Sequence, residues 1–123
     1  STTEKIVVID EVFGTINNWD LELDGDNSDV TVFFIHNDFG GGSELKVRGI
    51  KGGTEGRKIK IVNDSGDKIK FEEDKSGATD GNRIYIYTKD KELKNYGACE
   101  LIYSTDVSSG IGHWGIVQLD KYN

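Results

Sequence analysis

Residues able to do chemistry are few in this chain, and their spacing argues against most of the chemistry they could do. Asp24-Gly25-Asp26-Asn27-Ser28-Asp29 crowds oxygen donors into six positions, the kind of cluster a hard cation such as calcium takes. It departs from a calcium loop at two places: the sixth position is Asp29 rather than Gly, and the twelfth is Ile35 rather than Glu. A turn rich in Asx side chains explains the same run without a metal. His36 and His113 are the only histidines and Cys99 the only cysteine, with no local ligand spacing among them, so no metal site is expected. Cys99, set between Ala98 and Glu100 in a strand-like run, reads as a small core residue.

Catalytic residues are likewise not expected. Ser, His and Asp are all present, but no nucleophile-elbow sequence holds a serine for attack. The 22 acids offer so many carboxylate pairs that no one pair points to glycosidase chemistry. Gly40-Gly41-Gly42 and Gly52-Gly53 lack the GxxxxGK[ST] form of a phosphate loop and do not lie between a strand and a helix. They read as loops, and no cofactor is expected. The aromatics are more suggestive, because an amphipathic ring can stack on a sugar. Tyr85, Tyr87 and Tyr96 are the candidate ligand-binding residues on this ground. The other reading of such residues is core packing or subunit contact.

These side chains are carried by strands. Apolar and charged residues alternate in Arg57–Val62 and again in Lys68–Glu72, with Asp64-Ser65-Gly66-Asp67 between, which predicts a β-hairpin. Further strands are expected at Lys5–Ile9, Trp19–Leu23, Val30–His36, Glu44–Ile50, Arg83–Thr88, Ala98–Ser104 and His113–Leu119. Thr88–Tyr96 reads as loop or a short helix. The chain has 16 Gly and no Pro, so its turns fall to Gly, Asn, Asp and Ser. No fixed-period repeat is evident. The expected fold is all-β, an antiparallel, jelly-roll-like β-sandwich of about nine or ten strands. It forms one domain over 1–123, with 1–29 readable as an N-terminal strand extension.

Composition bounds the partners. At 123 residues, 35% hydrophobic and 30% charged, the chain can enclose one core. A net charge of −7 disfavours a nucleic-acid partner, which needs a basic face. The local basic strip of Arg57, Lys58, Lys60, Lys68 and Lys70 reads as a solvated strand face or as protection of an edge. No apolar run nears the roughly 20 residues of a membrane helix, so no membrane partner is expected. The start STTEKIVVID has no basic region followed by a long apolar one, which predicts no secretory signal. Several strands are apolar on both faces, as with Ile84 and Ile86 against Tyr85 and Tyr87. That predicts a second buried surface, most simply between subunits.

Gly56–Leu119 carries a family resemblance. Its elements are Gly56 before Lys58–Asn63 (KIKIVN), then Ile69–Phe71, Asn82-Arg83, Ile84–Ile86, Leu93 before Gly97, Leu101-Ile102-Tyr103 and Trp114. The pattern resembles a β-structured module of bacteriophage fibres and related virion appendages. The charged loop Lys89–Lys94 and His113 before Trp114, where an Arg often stands, depart from it. The resemblance implies a non-enzymatic structural or attachment protein of a phage particle, serving as a fibre, receptor-binding or capsid-decorating domain. It further implies a homotrimer, contacts with other virion proteins, and a host surface glycan as ligand. A carbohydrate-binding module is the alternative.

Overall fold

Alternation makes the strands of this protein, and winding decides which strands become neighbours. The computed structural model describes residues 3–37, 44–106 and 110–120, the side chains of 119 and 120 excepted. The strands are β1 (Ile6–Asp10), β2 (Gly14–Ile16), β3 (Val32–His36), β4 (Leu45–Val47), β5 (Lys58–Asp64), β6 (Ile69–Phe71), β7 (Ile84–Ile86), β8 (Glu92–Leu93), β9 (Ala98–Ser104) and β10 (His113–Asp120). A 3-10 turn, Asp80–Asn82, precedes β7.

One sheet runs in the order β1-β3-β5-β9-β10-β7 and the other β2-β4-β6-β8. The first three strands of each sheet are parallel. Ile6 lies beside Val32 and Val32 beside Lys60, offsets of 26 and 28 residues. On the second side Gly14 lies beside Leu45 and Leu45 beside Ile69, offsets of 31 and 24. A third side is joined only by bridges, Trp19 to Ile50 and Gly49 to Arg83. The chain is therefore a β-solenoid of stacked coils. The all-β expectation holds, whereas the antiparallel jelly-roll sandwich does not. Unequal coil lengths also hide the repeat from the sequence.

Each coil buries its inward residues against those of the next. Val7, Phe33, Ile61 and Cys99 share one register line, and Leu45, Ile69 and Leu93 share another. Phe33, Ile61, Leu45, Ile69 and Leu93 are fully or almost fully buried, and Val7 packs on them from the first coil. Each such side chain contributes about 1.5–3 kcal/mol when removed from water. No coil can bury these residues alone, so the columns hold the stack together.

The last strands close one end. β8 reverses over β6 and β9 over β5, both antiparallel, and β10 folds back on β9 with β7 parallel to it. Trp114 is fully buried within this cap and donates its Nε1–H to Ile50 O at 3.0 Å. The Tyr103 ring meets it edge-on at 5.2 Å. At the other end β1 is an edge strand, and Ile6 and Val8 are 55% and 53% exposed.

Two expectations about local structure change. β5 and β6 form no hairpin: they lie in different sheets, and residues 64–68 turn a corner. Fully buried Asn63 builds that corner, its Nδ2 donating to Asp67 O at 2.7 Å and Leu93 O at 2.8 Å. Its Oδ1 accepts from Ser65 N at 3.0 Å and Ser65 Oγ at 2.7 Å. Trp19–Leu23 is no strand, although Trp19, Leu21 and Leu23 are all buried as the alternation predicts; Glu22 has φ of 58°, which breaks extended pairing. Gly53 is small because a Cβ there would lie 2.2 Å from the Tyr103 ring. Gly40 to Gly42 lie outside the described residues.

Replacing Asn63 by Ala strands the Ser65 and Leu93 groups it satisfies. Urea denaturation should show a loss of about 3 kcal/mol, with Ser65→Ala costing about 1 kcal/mol. A loss under about 1 kcal/mol for Asn63→Ala would contradict this account of the corner.

Candidate functional site

Strand parity brings the ring residues of the cap together. Ile84 of β7 points into the core, so Tyr85 points out, and Tyr85 lies beside Gly115 of β10. A Cβ on Gly115 would stand 2.7 Å from Tyr87 Cε2, so the missing side chain lets the Tyr87 ring lie across the strand. Tyr87 Oη comes within 3.0 Å of Nε2 of buried His113. The Tyr85 ring packs on the same imidazole, with centroids 4.1 Å apart and planes tilted by 37°. His113 is thereby held between two tyrosines.

Arg83 forms the opposite wall. The 3-10 turn presents it, with its backbone N–H bonded to Asp80 O. Its Nε donates to Ala78 O at 3.1 Å, its Nη1 lies 3.3 Å from Asp74 Oδ1 and its Nη2 2.9 Å from Asp80 Oδ1. Between the walls is an open cleft of about 260 Å³, lined by Asp74, Asp80, Arg83, Tyr85 and His113 and floored by Ile111 and Gly112. One guanidinium ties both carboxylates, leaving an aromatic wall facing a ring of hydrogen-bonding groups. Such a surface suits a polar, ring-shaped ligand.

Of the three candidate tyrosines, Tyr85 lines the cleft and Tyr87 reaches it through His113. Tyr96 is elsewhere: 70% exposed, at the far end of β9, with φ of 70° and its N–H donated to Asn63 O at 2.7 Å. Asp74, Asp80 and His113 were not legible as site residues. Arg83 pairs with both a carbonyl and carboxylates.

The remaining chemistry resolves into structure. The carbonyls around Asp24–Asp29 face Arg57, whose guanidinium donates to Ser28 O, to Asn27 O at 3.2 Å and to Val30 O at 2.6 Å. The cation held by this turn is thus a side chain. His36 Nδ1 sits 3.0 Å from Asp10 Oδ1. Cys99 is buried. Among the described residues no group of three or more His, Cys, Asp or Glu could hold a metal, and no helix is long and apolar enough to cross a membrane.

No protein-family model and no curated protein matches the chain. Among solved structures, a chain from "Structure of a chaperone-substrate complex" is 14% identical, with a TM-score of 0.45. The alignment covers 85% of this chain and 17% of that one. A likeness at this level carries no argument about activity.

Burial pushes the His113 imidazolium below its ordinary range, opposed in part by the charge of Asp74. A native pKa below the unfolded value of about 6.5 means that the unfolded chain takes up the proton first. Stability must then fall as pH drops through about 6.5. Asp29, Glu55 and Glu72 have lowered pKa values, so the stability they contribute is lost only as pH falls from about 5 downward, through the ordinary carboxylate range and below it. Melting temperature should therefore drop between pH 7 and 5.5 in the parent protein and in His36→Gln, and the drop should be much smaller in His113→Gln. An equal drop in His113→Gln would contradict the assignment.

Proposed function

We propose that this protein is a non-enzymatic structural or attachment unit of a bacteriophage particle, working as an oligomer in a fibre, receptor-binding or capsid-decorating role. The observation that carries the reading is the asymmetry of the solenoid, capped at one end and edged by β1 at the other. Lys5 O and Glu11 N bond toward β3, so by parity the main-chain groups of Ile6, Val8 and Asp10 point away from the sheet. A half-exposed edge of this kind is a surface on which another strand can add. The resemblance over Gly56–Leu119 supports the virion setting, and that stretch corresponds to the third coil plus the cap.

A homotrimer is the expected assembly, with other virion proteins as further partners. The second reading is a carbohydrate-binding module. It is favoured by one observation, the Tyr85–His113–Tyr87 cluster beside the Arg83 cleft.

Sedimentation of the full chain at micromolar concentration should give a trimer, and Ile6→Lys with Val8→Lys should shift it to monomer with its melting temperature retained. A clean monomer for the parent protein would overturn the reading. On a glycan array, binding lost in Tyr85→Ala but kept in Tyr96→Ala would favour the carbohydrate module.

A further inference from the structure

A second concavity, larger than the tyrosine cleft, opens where the end of the second sheet meets the β7 edge of the first. Its volume is about 530 Å³, within the range of small-ligand sites. Four lysines line it: Lys70 from β6, Lys75 from the following loop, and Lys89 and Lys91 from the loop before β8. Ile86 and Thr88 supply one apolar and one hydroxyl surface between them.

The two acids of the groove are already committed. Glu72 Oε1 accepts from Arg48 Nε at 2.7 Å, and Glu73 Oε1 accepts the outward N–H of Ile86 at 2.7 Å. Arg48, Lys75 and Lys46 all favour the ionised form of Glu72, whose pKa is lowered chiefly by the Arg48 hydrogen bond. None of the four groove lysines ion-pairs with a described carboxylate. Elsewhere Lys5, Lys51, Lys58 and Lys68 each have an acidic partner. Asp90 falls between Lys89 and Lys91 in sequence but does not line the groove.

The backbone fixes where these ammonium groups start. Phe71 N–H donates to Lys91 O at 2.8 Å, which sets Lys91 one residue from Lys70 across the strand pair. Thr88 Oγ1 donates to Asp90 O at 2.9 Å and closes the turn that carries Lys89 and Lys91. Lys70 lies in register between Lys46 on β4 and Glu92 on β8, and Glu92 ion-pairs with Lys68 at 3.5 Å. Four cations and two carboxylates line the groove, one of the acids paired to Arg48, so on a chain of net charge −7 the groove carries an excess of positive charge.

We propose that this groove binds an acidic oligosaccharide, a sugar chain bearing closely spaced carboxylate or sulfate groups. Anionic groups meet the ammonium donors, while Thr88 and Ile86 contact hydroxyls and ring faces. A single-stranded nucleic acid fits less well, because no aromatic side chain lines the groove for base stacking. The proposal does not rest on the virion reading and uses a surface separate from the tyrosine cleft.

The test is titration calorimetry of the full chain at low salt with a heparin hexasaccharide, an oligogalacturonate, neutral dextran and oligo(dT). We expect one or both acidic sugars to bind, with affinity falling as salt rises, and dextran not to bind. Lys70→Gln with Lys91→Gln, and Lys75→Gln with Lys89→Gln, should each weaken binding by roughly tenfold or more, as expected for two lost charge-assisted contacts. Lys60→Gln with Lys94→Gln, an equal change of charge outside the groove, should change it less than about twofold if only the diffuse field is altered. Binding of neither acidic sugar would overturn the proposal. So would an equal loss in the Lys60/Lys94 variant, or tighter binding of oligo(dT). Unchanged melting temperatures in the variants separate loss of the site from loss of the fold.

Discussion

Everything in this structure depends on in-register stacking of inward side chains from one coil to the next. A strand of five residues such as β3 has Phe33 and Ile35 to bury and cannot do so within its own turn. It does so because Val7 and Ile9 lie on one side and Ile61 and Asn63 on the other, along the same lines. A slip of one residue would turn every one of these side chains outward, so the hydrophobic pattern specifies register strongly. The corners must then turn the chain without breaking the columns. At one corner an apolar residue gives way to Asn63, which extends the Ile9–Ile35 line as a hydrogen-bonding hub.

The same constraint explains why the two ends differ. Parallel stacking always leaves one more row of main-chain groups to satisfy. The C-terminal strands meet that need by reversing: β8 and β9 run antiparallel over β6 and β5, and Trp114 fills the space beneath them. The cap also makes the candidate site, because folding β10 between β9 and β7 sets His113 against Tyr85 and Tyr87. The apolar residues on the outer faces of these strands, which suggested a subunit contact, partly cover one another here. Tyr87 lying over Gly115 is the clearest case.

Most strand positions were legible in the sequence, but Trp19–Leu23 is no strand, Gly14–Ile16 was missed and Glu92–Leu93 lies in the segment read as loop or a short helix; strand partners were not legible. Alternation in KIKIVN correctly placed Ile59 and Ile61 inward, because side-chain parity is local. The Asp64–Asp67 turn was misread because a hairpin and a solenoid corner use the same polar and Gly residues, and only long-range pairing separates them. Offsets of 24 to 31 residues kept the repeat from showing. The site was half legible. Tyr85 and Tyr87 share parity and so share a face, but Asp74 and His113 reach it through a loop and a strand that only the fold brings near. The lysine groove joins residues 70–75 to 89–91 across two loops, and no spacing rule links those.

Stacking of parallel coils, rather than pairing of hairpins, is the central claim, and backbone NOEs on the labelled protein test it most directly. The solenoid predicts contacts between Lys46 and Lys70 and between Val32 and Lys60, with none between Ile61 and Ile69 as cross-strand partners. A ladder of NOEs joining Lys58–Val62 to Lys68–Glu72 in antiparallel order would contradict it.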